Sequence, residues 1–156
     1  MMRKLVTGAG GAVALVISAA AFADQGAFGS AQEARGMLDK AVTAVKADKA
    51  KALASFNHGD LMDRDLYPFC FNVGDGAFVA AGLHLQRLIG TDVRALKDPT
   101  GKAYGPELYA AAQKADGRLS EVDYMFPRPG ADKTPVPKVT FVTRTSDLGC
   151  GVGYYK

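Results

Sequence analysis

The chain has 156 residues, 48% of them hydrophobic, and its 19 basic against 16 acidic side chains give a net charge of +3. A chain of this size fits one domain with one core. So small a charge, with no basic run interleaved with aromatics, excludes an electrostatic nucleic-acid binder.

The N-terminus reads as a targeting segment. Arg3 and Lys4 form a charged start, Ala12 to Ala20 an apolar run, and Ala21-Phe22-Ala23 a small-x-small cleavage site. The apolar run is shorter than the roughly 20 residues a membrane span needs and is preceded by Gly8, Gly10 and Gly11. Residues 1–23 are therefore expected to be a signal peptide cleaved after Ala23. The mature part keeps 17 cations against 16 acids, carries no later candidate span, and is expected to be periplasmic or secreted. Residues 24–29 are expected to be a disordered lead-in and 30–156 a single domain.

Ser30-Ala-Gln-Glu33 is a capping box. Ala34, Met37, Leu38, Ala41, Val42 and Val45 follow helical spacing, which resumes through Ala50, Leu53 and Phe56. One helix over 31–56 is expected, about 39 Å long at 1.5 Å per residue. From Asp65 the period becomes that of strands. Leu66 to Phe71 is almost continuously apolar, as for a strand covered on both faces. Asn72-Val-Gly-Asp-Gly76 is a turn, and Ala77 to Ala81 a second strand. A crossover of about forty residues follows, with a Lys97-Asp-Pro-Thr-Gly-Lys102 turn and a short helix over 106–115 between Gly105-Pro106 and Gly117. Leu119 to Phe126, Lys138 to Arg144 and Leu148 to Tyr155 complete five strands. The order implies α+β: a five-stranded antiparallel sheet, the long helix on one face and the crossover on the other. A cavity between crossover and sheet is a natural place for a small ligand.

Cys70 and Cys150 are the only cysteines. An oxidising compartment makes a disulfide plausible, and two buried thiols are the alternative. Neither has a close Cys or His companion, so no metal site is expected. Lys138 follows Pro137 at the start of an apolar strand. Its ammonium either holds a ligand carboxylate or extends to water. Tyr124 and Phe126 share a face, as do Tyr67, Phe69 and Phe71. Tyr67, Phe69, Tyr124 and Phe126 are chosen as the cavity lining. Arg64, Arg128 and Arg144 read either as anion holders at the rim or, the favoured reading, as solvated side chains, and His58 and His84 as surface or capping residues. Gly149, Gly151 and Gly153 alternate on one face, read as a strip approached by the long helix. Neither histidine stands in a motif with a nucleophile, so the chain does not read as an enzyme, and no cofactor is expected.

Six segments in order resemble the single-Cache extracytoplasmic sensor domains, which have a PAS-like sheet. They are Lys51-Ala-Leu-Ala-Ser-Phe-Asn57, Asp65-Leu-Tyr-Pro-Phe-Cys-Phe-Asn-Val-Gly-Asp-Gly76, Ile89-Gly-Thr-Asp-Val-Arg-Ala-Leu-Lys-Asp98, Val122-Asp-Tyr-Met-Phe-Pro-Arg-Pro-Gly130, Pro137-Lys-Val-Thr-Phe-Val142 and Gly149-Cys-Gly-Val-Gly-Tyr-Tyr155. Gly82 to Leu88 departs from the family, being longer and lacking its Ala-His-Pro-type turn. The resemblance implies a first strand beside the last, hence a Cys70–Cys150 disulfide, and it favours the ligand role for Lys138. It also implies binding of a small organic solute, a short carboxylate by the lysine, and only weakly implies signalling. The chain is expected to lack the output module that usual family members carry, so a separate membrane receptor or kinase is the expected partner. The alternative is an interaction module whose rim presents Leu83 and Leu85 to another exported or membrane protein.

Overall fold

A computed structural model describes residues 26–156. The predicted signal peptide, residues 1–23, lies outside the described residues. Of the lead-in, Gly26 to Gly29 are described, and they are held in place. Arg64 donates to the carbonyls of Gly26 and Phe28, and the Gly29 amide donates to Asp65 Oδ1 at 2.6 Å.

Helix α1 spans Ala31–Ala47 and opens on the capping box: Ser30 Oγ accepts from the Glu33 amide while Glu33 Oε2 accepts from the Ser30 amide. Its buried face is Ala34, Met37, Leu38, Ala41 and Val45. The single long helix expected from the spacing is two. Asp48 is extended (φ −158°, ψ 97°), and its carboxylate accepts from the Lys51 amide, starting a second helix, α2, at Lys49–His58. An Asp side chain that satisfies the next helix's first amides competes with continuing the previous one. Gly59, at φ 86°, ends α2 in the left-handed region where glycine carries no Cβ penalty. Asn57 then ties this end to the sheet, donating to Val79 O and accepting from the Ala81 amide.

The strands are β1 (Pro68–Asn72), β2 (Phe78–Ala80), β3 (Ser120–Pro127), β4 (Pro135–Thr145) and β5 (Leu148–Tyr155). They form one sheet in the order β2-β1-β5-β4-β3, antiparallel throughout. Strand β4 begins three residues earlier than expected. Its prolines fall where their missing N–H groups matter little: Lys138–Tyr155 is the last β4–β5 pair, and Pro137 is met beyond it by the Lys156 amide. Lys138 is therefore a strand-interior residue, paired with Tyr124 on one side and Tyr155 on the other.

Helices α1 and α2 cover one face, packing on Cys70, Phe141, Cys150 and Val152. The crossover covers the other with two 3-10 turns, Leu83–Leu88 and Val93–Ala95, and helix α3, Gly105–Ala112. There Phe69, Phe71, Phe78, Val93, Leu108, Val122 and Val142 form a second apolar layer. Cys70 and Cys150 oppose one another across β1 and β5, with Cα atoms 4.1 Å apart, and are disulfide-bonded. The glycine strip faces the crossover and not the long helix. A Cβ on Gly149 would meet Ala112 of α3 and the Phe71 ring, and one on Gly151 the Phe69 ring at 2.6 Å. Aromatic rings laid flat on β5 require that missing side chain. Among the described residues no helix is long and apolar enough to cross a membrane.

Candidate functional site

Lys138, Thr140 and Val142 alternate toward the crossover face of β4. The Lys138 side chain runs over Gly153 of β5, where a Cβ would stand 2.6 Å from its Cε. It is 3% exposed, and its Nζ lies 4.6, 5.2 and 5.3 Å from the ring centres of Tyr155, Tyr67 and Phe126. Three ring faces at such distances solvate an ammonium partially. Among the described residues Nζ has no hydrogen bond and no carboxylate within ion-pair distance. Burial pulls its pKa down to about 8, opposed by the negative charge of Asp65. Asp65 is itself buried, and its Oδ2 has no partner among the described residues.

The ammonium borders a cavity of about 30 Å³ between sheet and crossover. At ~10–15 Å³ per water-sized sphere, that is room for roughly two or three. Tyr67, Phe69, Tyr124, Phe126 and Lys138, the five residues chosen from the sequence, all line it. Phe69, Phe78, Leu85, Leu96 and Leu108 supply its apolar wall. Tyr124 shares a 2.8 Å hydrogen bond with Thr140 and stacks flat on Tyr104, ring centres 4.0 Å apart. Burial raises the pKa of Tyr67 and Tyr124, and lifts Tyr104 to about 12, so all three remain neutral hydroxyls. The site thus offers one buried cation, neutral hydroxyls and an apolar wall. It suits the recognition of a small anion with an apolar part.

Tyr67 and Phe126 also border a larger outer hollow of about 350 Å³, walled in addition by Tyr155, Arg87, Arg128 and Lys133. Arg128, for which the sequence favours a solvated position over an anion-holding one, is half-buried, its guanidinium 4.2 Å over the Phe28 ring and 5.4 Å over Tyr155. Arg64 is ion-paired with Asp63 and Glu33, and Arg144 donates to Ser146 O. His84 is exposed at the edge of the outer hollow, and His58 is exposed at the end of α2. Leu83 is exposed, but Leu85 turns into the cavity, so the rim does not present the pair.

Sequence reasoning missed Tyr104, Thr140 and Gly153 as lining, and Asp98 as the anchor of the crossover. Asp98 accepts from the Thr100 and Lys102 amides and the Thr100 hydroxyl, and across to β3 from the Met125 amide. These bonds hold its pKa at about 2. Only the local half of that set was signalled, by the Asp-Pro-Thr-Gly turn. Among the described residues no group of three or more His, Cys, Asp or Glu side chains is gathered to hold a metal ion.

No protein-family model and no curated protein matches the chain. Solved structures do. A methyl-accepting chemotaxis protein from Vibrio parahaemolyticus is 23% identical over 80% of this chain and 86% of its own, with a TM-score of 0.62. The periplasmic sensor domain of a chemotaxis protein is 24% identical over 80% of this chain and 88% of its own, with a TM-score of 0.57. A Cache chemosensory domain described for carboxylic acid recognition is 25% identical over 80% of this chain and 86% of its own, with a TM-score of 0.55. Residues 26–156 therefore have the single-Cache, PAS-like fold of extracytoplasmic sensor domains.

Proposed function

We propose that this protein is an exported, non-enzymatic sensor-type domain that binds a short carboxylate in the cavity over its sheet. Its signal would pass to a membrane receptor or kinase. The observation that carries the reading is Lys138: a lysine 3% exposed, facing a cavity, with no carboxylate partner among the described residues. An uncompensated buried charge is costly, and a ligand anion would compensate it. The acid-recognising Cache domain supports the ligand class. The cavity limits the apolar part to two or three heavy atoms. Tyr67, Phe69, Tyr124 and Phe126 would enclose that part, with the Tyr124–Thr140 hydroxyl pair within reach of the carboxylate.

A thermal-shift series with two- to four-carbon acids on the purified protein and on Lys138→Met tests this. Acids should raise the melting temperature of the wild type, matched amides and amines should not, and Lys138→Met should not respond. A wild type indifferent to every acid, or an unchanged response in Lys138→Met, overturns the reading. Docking on another exported protein is a second reading, favoured by Leu83 and Ile89, 52% and 39% exposed on the crossover.

A further inference from the structure

The inner cavity and the outer hollow share three lining residues, Tyr67, Leu85 and Phe126, which therefore stand as the partition between them. Two of the three are fixed. The Tyr67 ring is lodged against Gly82, where a Cβ would come within 2.5 Å of it. Phe126 lies in β3, in register with Val136 of β4, and its ring meets Tyr124 edge-on, ring centres 6.2 Å apart. Leu85 is held differently. It sits in the first 3-10 turn of the crossover, Leu83–Leu88, and breaks it: its backbone, at φ −121° and ψ 17°, is a kink between two short helical pieces.

No residue of Leu83–Leu88 is fully buried, and among the described residues no backbone hydrogen bond joins the segment to the sheet or to a helix. Its own bonds are local, from the Leu85 amide to Gly82 O and from the Ile89 amide to Gln86 O. The chain rejoins the sheet at Gly90, whose amide donates to Phe78 O. Among the described residues, the one side chain of the segment hydrogen-bonded to its surroundings is Gln86, whose Nε2 donates to Ala81 O at 2.7 Å and to Asn57 O at 3.5 Å. Leu85 and Leu88, both half-buried, add apolar contact by lining the inner cavity. A segment so held opens at lower cost than the sheet beneath it. Gly82 to Leu88 is also the stretch in which this chain departs from the single-Cache pattern.

We propose that Leu83–Leu88 is a lid over the inner cavity and that Leu85 is its gate, closing that cavity from the outer hollow and limiting the length of ligand it admits. With the lid down, the inner space of about 30 Å³ ends at the Leu85 side chain. With the lid raised about its kink, that space continues between Tyr67 and Phe126 into the hollow of about 350 Å³. Raising it also admits reagents to the buried amine, so Lys138, 3% exposed when the lid is down, reports the opening. The size limit rests on the carboxylate reading above, and the movement does not.

Acetylation of Lys138 by acetic anhydride on the folded protein, followed by mass spectrometry, reads the movement. In wild type the rate should vary little with urea below the unfolding transition, as for a local opening. Leu85→Ala removes packing present only in the closed state and should raise the rate roughly tenfold or more. Gln86→Ala, which loses the bond to Ala81, should raise it in the same sense. Leu108→Ala empties the wall of the same cavity on α3 and should leave the rate near that of wild type. A wild-type rate with the full urea dependence of global unfolding overturns the lid, as does equal acceleration by Leu108→Ala and Leu85→Ala. Thermal shift with propionate and hexanoate reads the gate: wild type should respond to propionate alone, and Leu85→Ala to both. Hexanoate response in wild type, or none in Leu85→Ala, overturns the gate. Should wild type ignore both acids, the carboxylate reading fails and the size limit with it, while the acetylation rates still decide the lid.

Discussion

Lys138 carries a physical signature that can be read without knowing the ligand. Its folded-state pKa of about 8 lies below the ordinary lysine value because burial disfavours the ammonium. The unfolded chain therefore binds more protons between about pH 8 and 10.4, and stability from this group rises with pH in that window. Below pH 8 both states are protonated and the burial penalty stands in full. Denaturation at pH 7 and 9.5 should show wild type gaining about 2 kcal/mol more than Lys138→Met across that interval. An equal change in both proteins would mean the ammonium is solvated after all. Ligand binding has the opposite slope, since a carboxylate needs the charged form. Acid affinity should fall toward tenfold per pH unit above pH 8. Much of the residue-scale picture was legible. Strand alternation paired Tyr67 with Phe69 and Tyr124 with Phe126, the family resemblance favoured Lys138, and all five line one cavity. Tyr104 was not legible, because nothing in a loop fixes which way a side chain faces until tertiary packing stacks it on Tyr124.

At the scale of elements, the site exists because the crossover is pinned as a roof over the sheet. Asp98 does the pinning, with three bonds inside its own turn and one across to the Met125 amide of β3. Asp98→Ala strands the half-buried Met125 donor and the turn amides, at a cost of about 2–4 kcal/mol. Amide exchange over residues 97–104 should accelerate in that variant, and acid binding should weaken with it. Protection unchanged from wild type would show that Gly105, seated against the Val93 carbonyl, holds the roof unaided. The same scale shows where periodicity misleads. The apolar spacing resumes soon after Asp48, so the sequence reads as one helix, whereas a capping carboxylate there starts a second. Hydrophobic period reports which face is buried and is blind to a change of axis. The glycines of β5 were seen, but their face was misjudged, since alternation leaves two faces and only the disulfide side settles which one α1 covers.

For the whole molecule, the decisive joint is β1 against β5. The hairpin of β1 and β2 and the meander of β3, β4 and β5 become one sheet only through that pairing, across a sequence separation of 80 residues. Strand content was legible locally, and the α+β class followed from element order. The pairing itself was not, because a contact so distant in sequence leaves no local pattern, and only the family resemblance implied it. The Cys70–Cys150 bond fixes this joint covalently, and its position connects it to the site. Phe69 and Phe71 flank Cys70 and project to the opposite face, over Gly151 and Gly149, where Phe69 lines the cavity. In the chain-entropy account a cross-link over such a loop restricts the unfolded state by about 4–5 kcal/mol. Replacing both cysteines with alanine should lower the melting temperature by on the order of 10 °C. It should also weaken acid binding at temperatures where the chain is still folded, because β1 is free to shift against the glycine strip. A melting temperature unmoved by the double replacement would show that burial between α1 and the sheet suffices to hold the joint. A lower melting temperature with unaltered affinity would separate the bond's contribution to stability from the shape of the cavity.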